Sequence, residues 1–307
     1  MYTPGATTGR SATKRRLPWV AQTINDMRVL YISVVSARVC LPPPDDAPQV
    51  WWSFIREQPE QAIIKEINEL GDKETINLLH YIREEPVSEK QYENGIRDKG
   101  RPPGMRLQHF MNDKNAIGGA LSRAHVIALR LYTTSAYKHI NNPLRDQKRR
   151  SANRQHPLAA TVICIQEGIK KLRNVVSLIE EERRSSGGIA KAETAVLWRG
   201  MKNLYVNNEF LQYGGTELAP MSTTTSFEVA VQYGTCATGS LLFKIVVPTA
   251  LQHGADLRWC SAFPGEAEVL YPPLTYLKSR KRHQEIICEE NNIVVTIIEV
   301  EPDLSAV

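Results

Sequence analysis

The spacing of apolar residues changes once along this chain of 307 residues, close to Gly188. Before that point, apolar residues recur every three or four positions over residues 51–84 and 158–182, which is typical of amphipathic helices. After it, short β-branched or alternating segments separated by turn residues predict strands. Strands that follow a run of helices indicate an α+β fold rather than a doubly wound α/β sheet.

The predicted strands cover residues 195–201, 221–227, 240–248, 268–274 and 293–300. A nucleotide site in a doubly wound sheet would need a glycine-rich turn between a strand and a helix. A phosphate-binding P-loop would need its own pattern of glycine, lysine and a hydroxyl residue. The sequence contains neither pattern. Any nucleotide that binds to this chain must therefore be held in another way.

Polar and turn-forming residues divide the chain into three parts. Residues 1–20 predict a flexible tail, and residues 21–110 predict a mainly helical region, of which 21–40 fits either a helix or a strand. The glycines and prolines of residues 95–104 predict a loop between this region and a second unit. That second unit is expected to span residues 111–302.

Composition argues against several classes of protein. The chain has 38 Lys and Arg against 33 Asp and Glu without one clustered basic face, so nucleic acid is not expected as a partner. Five scattered cysteines without a Cys-x-x-Cys pair argue against a zinc site and a disulfide framework. No apolar run reaches the length of a membrane helix. We expect a cytoplasmic monomer without a metal ion; the basic, serine-rich start is also compatible with an organelle transit peptide.

Two motifs carry residue types that suit a nucleotide. Arg199-Gly200 stands at the end of a predicted strand, where a guanidinium can bind phosphate and glycine allows close approach of the backbone. Ser222-Thr223-Thr224 is a hydroxyl-rich strand that could orient a charged group. Each motif also has an ordinary structural interpretation, because arginine-glycine pairs often end strands and threonine favours strands.

The third motif is the pair of carboxylates Glu266 and Glu268. In an extended backbone the two side chains would face the same way, roughly 7 Å apart along the strand. Like charges so placed repel each other unless a ligand or a cation uses them. Paired carboxylates stabilise the oxocarbenium-like transition state of glycoside cleavage, and NAD is an N-glycoside. A Glu-x-Glu pair on a solvated loop is the alternative.

Taken in order, the motifs resemble those of the mono-ADP-ribosyltransferase family, in its Arg–Ser–Glu class with a Glu-x-Glu pair. The resemblance covers about residues 115–300 and includes residues 131–145, which are similar to a helix of that family. It implies a split β-sandwich of two small packed sheets with a helical subdomain, and NAD bound in the cleft between them. The family usually has Ser-Thr-Ser where this chain has Ser222-Thr223-Thr224, and the hydroxyl is kept.

The resemblance also implies a role for each residue of the first two motifs and for the second glutamate. Arg199 would hold the phosphates and a ribose of NAD, and Gly200 would contact the nicotinamide amide through its backbone. Ser222 would orient Glu268. The carboxylate of Glu268 would bond to the nicotinamide ribose and oppose the positive charge that develops as nicotinamide leaves.

Further residues complete the site that the resemblance implies. Glu266 would engage the guanidinium of the acceptor, since a glutamate at that position marks arginine specificity in the family. Thr223 would belong to the NAD-binding strand, and Tyr132 would pack at the NAD end of its helix. Phe227 would contact nicotinamide and Phe263 the acceptor; core positions are the alternative for both.

These observations predict a transferase that moves ADP-ribose from NAD to arginine side chains of a target protein and releases nicotinamide, as toxins and effectors of this family do. An NAD glycohydrolase, in which water replaces arginine at the same site, is one alternative. A non-catalytic module that kept only the fold is another. The complete set of Arg199, Ser222, Glu266 and Glu268 favours catalysis.

Overall fold

The computed structural model describes residues 48–92, 95–185, 194–236, 240–288 and 293–304. The expectations for residues 1–20 and 21–40 lie outside these ranges.

Helices dominate the chain before residue 186, as the apolar spacing predicts. They are α1 (Pro48–Glu57), α2 (Pro59–Leu70), α3 (Lys73–Glu84), α4 (Leu107–Met111), α5 (Lys114–Gly118), α6 (Arg123–Tyr132), α7 (Tyr137–Arg145), α8 (Gln147–Ser151) and α9 (Ala159–Ser185). A small antiparallel hairpin of β1 (Lys90–Tyr92) and β2 (Gly95–Arg97) lies between α3 and α4. None of the described helices is both long and apolar enough to cross a lipid bilayer.

Hydroxyl side chains set the bounds of the helices around residue 130. Ser122 caps α6 by accepting a hydrogen bond from the backbone N–H of His125, as a residue of this type at a helix start is expected to do. The similarity to a family helix over residues 131–145 suggests one helix, but the structure has two. The hydroxyls of Thr133 and Thr134 donate to carbonyls of the last turn of α6, which competes with continued helix.

The helices share one hydrophobic core that includes residues from both sides of residue 110. Ile63 of α2 and Leu79 of α3 are buried in it with Leu129 of α6 and Ile165 of α9. Glu66 of α2 supports the same packing, because its buried carboxylate accepts hydrogen bonds from backbone N–H groups in the first turn of α9. The division of the chain at residue 110 stays a prediction.

The second half of the chain forms a sheet, which confirms the α+β class. Its strands and short helices are β3 (Ala195–Lys202), α10 (Asn208–Tyr213), β4 (Gly215–Glu217), β5 (Met221–Thr224), α11 (Phe227–Gly234), β6 (Ser240–Val247), β7 (Ala255–Asp256), β8 (Glu268–Tyr271), β9 (Thr275–Cys288) and β10 (Ile293–Asp303). The strand order is β4-β9-β10-β6-β3-β5-β8-β7. β6 and β10 are parallel, and the other pairs are antiparallel.

This sheet is nearly divided between β3 and β5. β3 pairs with β6 at every position from residue 195 to 202, whereas it pairs with β5 only at Trp198 and Thr224. The single pair separates the half β4-β9-β10-β6-β3 from the half β5-β8-β7. The two halves pack on a common core, in which Val269 of β8 lies with Phe243 of β6. The two small sheets of the expected sandwich are therefore halves of one hydrogen-bonded sheet.

Two segments that look like loops in the sequence are regular in the structure. The basic run at residues 278–282 predicts a hairpin loop but lies inside β9, where residues beyond Leu277 have no partner in β4. Charged residues suit an exposed strand edge because they discourage pairing with other chains. Residues 145–156 also predict a loop, but they contain α8, which is capped by the side chain of Asp146.

Candidate active site

A cavity of about 400 Å³ opens between the helices and the strands at the divided part of the sheet. A volume of this size is typical of small-molecule and cofactor sites. Every site residue predicted from the sequence except Phe227 lines it: Tyr132, Arg199, Gly200, Ser222, Thr223, Phe263, Glu266 and Glu268. Residues that are 136 positions apart in the chain thus meet at one place.

The alternation of side chains along β8 brings Glu268 to the cavity. Leu270 packs into the core of the helices, while Val269 packs into the core of the sheet. Glu268 lies two positions before Leu270, so it faces the helices as well. Its partner across the ladder is Thr224, and its carbonyl accepts a hydrogen bond from the N–H of Leu257. These backbone contacts fix the position of the residue.

Glu268 is only 5 % exposed. Burial, with a smaller contribution from the nearby carboxyl of Glu266, raises its pKa to about 7. The hydroxyl of Ser222 and the charge of Arg199 act in the opposite direction, but they do not offset the burial. The group can therefore exchange a proton close to neutral pH, which is unusual for a glutamate.

Glu266 does not lie on an extended strand with Glu268, so the expected geometry of the pair is wrong. Residues Pro264–Glu266 form a single 3-10 turn, and Ala267 has a left-handed backbone with φ of 47°. The turn is held to β5 by the hydroxyl of Thr224, which donates to the carbonyl of Glu266 at 2.6 Å. Both carboxylates still line the cavity.

Two arginines, Arg145 and Arg199, also line the cavity. Arg145 forms two hydrogen bonds of 2.9 Å with the carboxylate of Glu217, which is 1 % exposed. Nη2 of Arg199 lies 3.6 Å from the same carboxylate. Two guanidinium groups thus share one buried carboxylate, and this part of the cavity keeps a net positive charge.

Arg199 and Gly200 also have structural tasks at the division of the sheet. Nη1 of Arg199 donates to the carbonyl of Ser222 at 2.6 Å and thereby joins β3 to β5. Its Nε is buried, and no residue in the described ranges accepts a hydrogen bond from it. At Gly200, a β-carbon would lie 1.9 Å from the carbonyl oxygen of Ala230. Only glycine lets α11 cross β3 this closely.

The remaining predicted residues differ in how they face the cavity. The hydroxyl of Thr223 donates to the carbonyl of Val269, so it bonds within the sheet. The hydroxyl of Tyr132 donates to the carbonyl of Pro220 and holds α6 against the strand β5. Phe227 is the first residue of α11, and its ring meets the edge of Trp198 outside the cavity lining.

Several residues that line the cavity carry no role in the sequence-based predictions. Tyr233 of α11 donates a hydrogen bond to Glu266. Arg145 lies in residues 131–145, on which the family resemblance partly rests. Its positive charge in that segment is the sequence feature that points to a place in the site. Tyr92 and Arg97 belong to the β1–β2 hairpin, and nothing in their local sequence connects them with Phe263, whose ring lies 6.1 Å from that of Tyr92.

The cavity therefore combines a basic part with an acidic part. Phosphate groups suit Arg145 and Arg199, and a positive charge suits the region of Glu266 and Glu268. NAD carries both features, in its pyrophosphate and its nicotinamide ring, so the residues present fit this dinucleotide. Among the residues that the structure describes, no group of three histidine, cysteine or acidic side chains could hold a metal ion.

A family model described as ADP-ribosyltransferase exoenzyme matches residues 108–301. The chain belongs to this family. The matched range includes the motifs around Arg199, Ser222 and Glu268. No curated protein sequence matches the chain significantly.

Three solved structures, two of them described as ADP-ribosyltransferases, are similar to this chain. HopU1 of Pseudomonas syringae pv. Tomato DC3000 is 14% identical with a TM-score of 0.45, and the match covers 76% of this chain and 98% of HopU1. The eucaryotic mono-ADP-ribosyltransferase ART2.2 is 14% identical with a TM-score of 0.47, covering 84% and 88%. The type III effector XopAI from Xanthomonas axonopodis pv. citri is 13% identical with a TM-score of 0.46, covering 91% and 97%.

Proposed function

We propose that this member of the ADP-ribosyltransferase exoenzyme family transfers ADP-ribose from NAD to arginine side chains of a target protein. The observation that carries the proposal is the pair of carboxylates, Glu266 and Glu268, which line the same cavity as the arginines Arg145 and Arg199. This combination of charges suits a dinucleotide that carries both a pyrophosphate and a cationic ring.

Cleavage of NAD needs mainly electrostatic help in this site. The bond between nicotinamide and ribose breaks, its electron pair stays on the nicotinamide nitrogen, and positive charge develops on the ribose. The carboxylate of Glu268 lies in a fixed, water-poor position, where an opposed charge stabilises a transition state far better than it would in water. Nicotinamide is a neutral leaving group, so the site needs no strong general acid.

The acceptor is proposed to be arginine because a second carboxylate, that of Glu266, lines the same cavity as Glu268. A guanidinium nitrogen would form the new bond to the ribose carbon and lose a proton. Glu266 would orient that guanidinium and take the proton. Burial raises the pKa of Glu266, which makes its carboxylate a stronger base, although the hydrogen bond from Tyr233 lowers this pKa in part.

The wider setting of this activity is also a proposal. We infer a toxin- or effector-like enzyme that acts in the cytoplasm as a monomer on a protein substrate. Phe263 would lie beside the acceptor, since it directly precedes the turn that carries Glu266. Phe227 would reach nicotinamide only if its ring left the contact with Trp198.

The activity can be tested directly with labelled NAD. The full chain is incubated with NAD and agmatine, and nicotinamide release and agmatine modification are measured in parallel. We expect both, with faster nicotinamide release when agmatine is present. Nicotinamide release without modified agmatine or modified protein would support a glycohydrolase instead. A chain that binds NAD but releases no nicotinamide would be a binding module. Mass spectrometry of a treated lysate would then identify modified arginines.

A further inference from the structure

Five consecutive backbone carbonyls, those of residues 258–262, are bound by only three residues. Arg101 donates to the carbonyls of Arg258, Trp259 and Ser261 at distances of 3.0, 3.0 and 2.6 Å. Arg130 donates to the carbonyl of Cys260 at 2.8 Å, and the N–H of Asp98 donates to that of Ala262 at 2.6 Å. These carbonyls have no ladder partner, because β7 ends at Asp256.

The three residues that bind these carbonyls also hold one another. Asp98 is fully buried, and its carboxylate lies 3.0 Å from Nε of Arg101 and 3.3 Å from Nη2 of Arg130. The hydroxyl of Tyr81 donates to the same carboxylate at 2.8 Å. A buried carboxylate with several charge-assisted partners forms a rigid unit, and the loss of one partner is costly.

This unit lies directly before the turn that carries Glu266. The chain passes from the bound carbonyls of residues 258–262 to Phe263 and then into the turn Pro264–Glu266. Glu268, in contrast, is held by its own ladder with β5. Thr224 of β5 contacts both residues, but only Glu266 lies on a turn, outside the strand, that directly follows the bound segment.

We propose that Asp98 and Arg101 are positioning residues for Glu266: by holding the carbonyls of residues 258–262 they fix the turn that presents this carboxylate to the acceptor. The inference rests on the proposed acceptor role of Glu266. It assigns a task to a segment that lies outside the family match at residues 108–301. Transfer to an acceptor depends on this support, whereas cleavage of NAD by water depends on Glu268.

The test compares Arg101→Ala with Arg173→Ala in the full chain. Arg173 is a matched control, because it also donates to two loop carbonyls, those of Leu251 and His253, at 2.8 and 3.1 Å, but away from the turn. We measure kcat/KM for agmatine modification, nicotinamide release without acceptor, and Tm. A misplaced reacting group typically reduces a rate by up to about a hundredfold.

We expect Arg101→Ala to lower transfer to agmatine by about tenfold to a hundredfold, with a much smaller change in NAD hydrolysis. Arg173→Ala should lower Tm without changing the ratio of the two rates. An unchanged ratio in Arg101→Ala, or an equal change in both variants, overturns the inference. If Arg101→Ala does not fold, Arg101→Lys replaces it: the amine keeps the charge beside Asp98 but cannot reach three carbonyls, so the same change in the ratio is expected.

Failure of the proposed function can be distinguished from failure of this inference. A wild-type chain that releases no nicotinamide overturns the function. Hydrogen exchange at residues 262–267 then tests the positioning without any activity. Faster exchange there in Arg101→Ala or Arg101→Lys, but not in Arg173→Ala, supports the inference, and unchanged exchange overturns it.

Discussion

The hydroxyl of Tyr233, on α11, donates a hydrogen bond to the carboxylate of Glu266, on the turn before β8. The bond joins two elements that both line the cavity. It orients the carboxylate of Glu266 and lowers its pKa, while burial raises the same pKa. An incoming guanidinium would meet a carboxylate whose position is already set, which reduces the entropy lost on binding.

Tyr233→Phe should therefore weaken the binding of an arginine-like acceptor. The ring keeps its packing, but the carboxylate of Glu266 loses its donor and becomes free to rotate. A hydrogen bond to a charged group contributes about 1.5–3 kcal/mol, so we expect KM for agmatine to rise by about tenfold or more. NAD hydrolysis without acceptor should stay within a few-fold of wild type. An unchanged KM for agmatine would show that the bond has no part in acceptor binding.

Glu266→Ala should separate transfer from hydrolysis more strongly. The acceptor loses the group that orients it and takes its proton, and such a loss reduces a rate by about a hundredfold or more. Water needs less orientation than a long cationic side chain, so slow NAD cleavage should remain at Glu268. Nicotinamide release and agmatine modification are measured side by side. Equal loss of both rates, or loss of neither, would contradict the division of tasks between the two glutamates.

Much of the fold could be predicted because it follows from local periodicity. Apolar residues at helical spacing identify the long helices, and short β-branched or apolar segments between turn residues identify strands such as β6 and β10. The turn at Glu266 could not be predicted in the same way. It depends on a left-handed backbone at Ala267, and alanine carries no signal for that conformation.

The hydrogen bonds that hold Glu266 and the segment before it could not be predicted, because the residues that form them are far apart in the sequence. Arg101 binds carbonyls 157 to 160 positions later, and Tyr233 binds a carboxylate 33 positions later. Neither pair has a local pattern. The motifs around Arg199, Ser222 and Glu268 could be recognised only by their order, and the structure shows how the strands β3, β5 and β8 bring them together.

Gly200→Ala should destabilise the fold. The new methyl group would lie 1.9 Å from the carbonyl oxygen of Ala230 and 2.5 Å from the N atom of Gly234, so α11 must move away from β3. Overpacking of this kind typically costs about 1–3 kcal/mol, and Tm should fall by several degrees. Gly118→Ala is the control, since its methyl group would meet Val175 at an ordinary 3.8 Å. Its Tm should not fall. Equal Tm values for the two variants would contradict the close approach of α11.

Arg199→Lys should weaken the protection that NAD gives to the fold. Binding to the native state alone raises the free energy of unfolding by about 2.7 kcal/mol at a hundredfold excess over Kd. A lysine has one compact charge and cannot both donate to the carbonyl of Ser222 and bind phosphate with a planar fork. The NAD-induced rise in Tm should be smaller in this variant. Arg258→Lys, an exposed arginine paired with Asp256, should keep the full rise.

NAD cleavage should increase with pH through neutrality. Glu268 must be ionised to oppose the charge on the ribose, and burial raises its pKa to about 7. The ionised fraction grows as pH rises through this value, so kcat/KM for nicotinamide release should rise and then level off. Ser222→Ala removes a hydroxyl that lowers this pKa, so the midpoint of the profile should move to higher pH. A profile that is flat across about pH 5 to 9 would exclude Glu268 as the titrating group.

Glu268→Gln replaces the titrating carboxyl with an amide. Comparison of this variant with wild type therefore measures the titration of Glu268 independently. The amide keeps the shape but not the charge, so nicotinamide release should fall by about a hundredfold to a thousandfold and show no midpoint near pH 7.

The same variant tests the effect of Glu268 on stability. The pKa of Glu268 in the folded chain, about 7, lies above the ordinary 4.5, so the wild-type chain binds more protons at this group when folded. The contribution of Glu268 to stability is therefore fully present below pH 4.5 and is lost as pH rises through 7. The variant lacks this loss, so its Tm should rise relative to that of wild type between those two pH values. A constant difference in Tm would mean that Glu268 does not titrate in the folded chain as its burial requires.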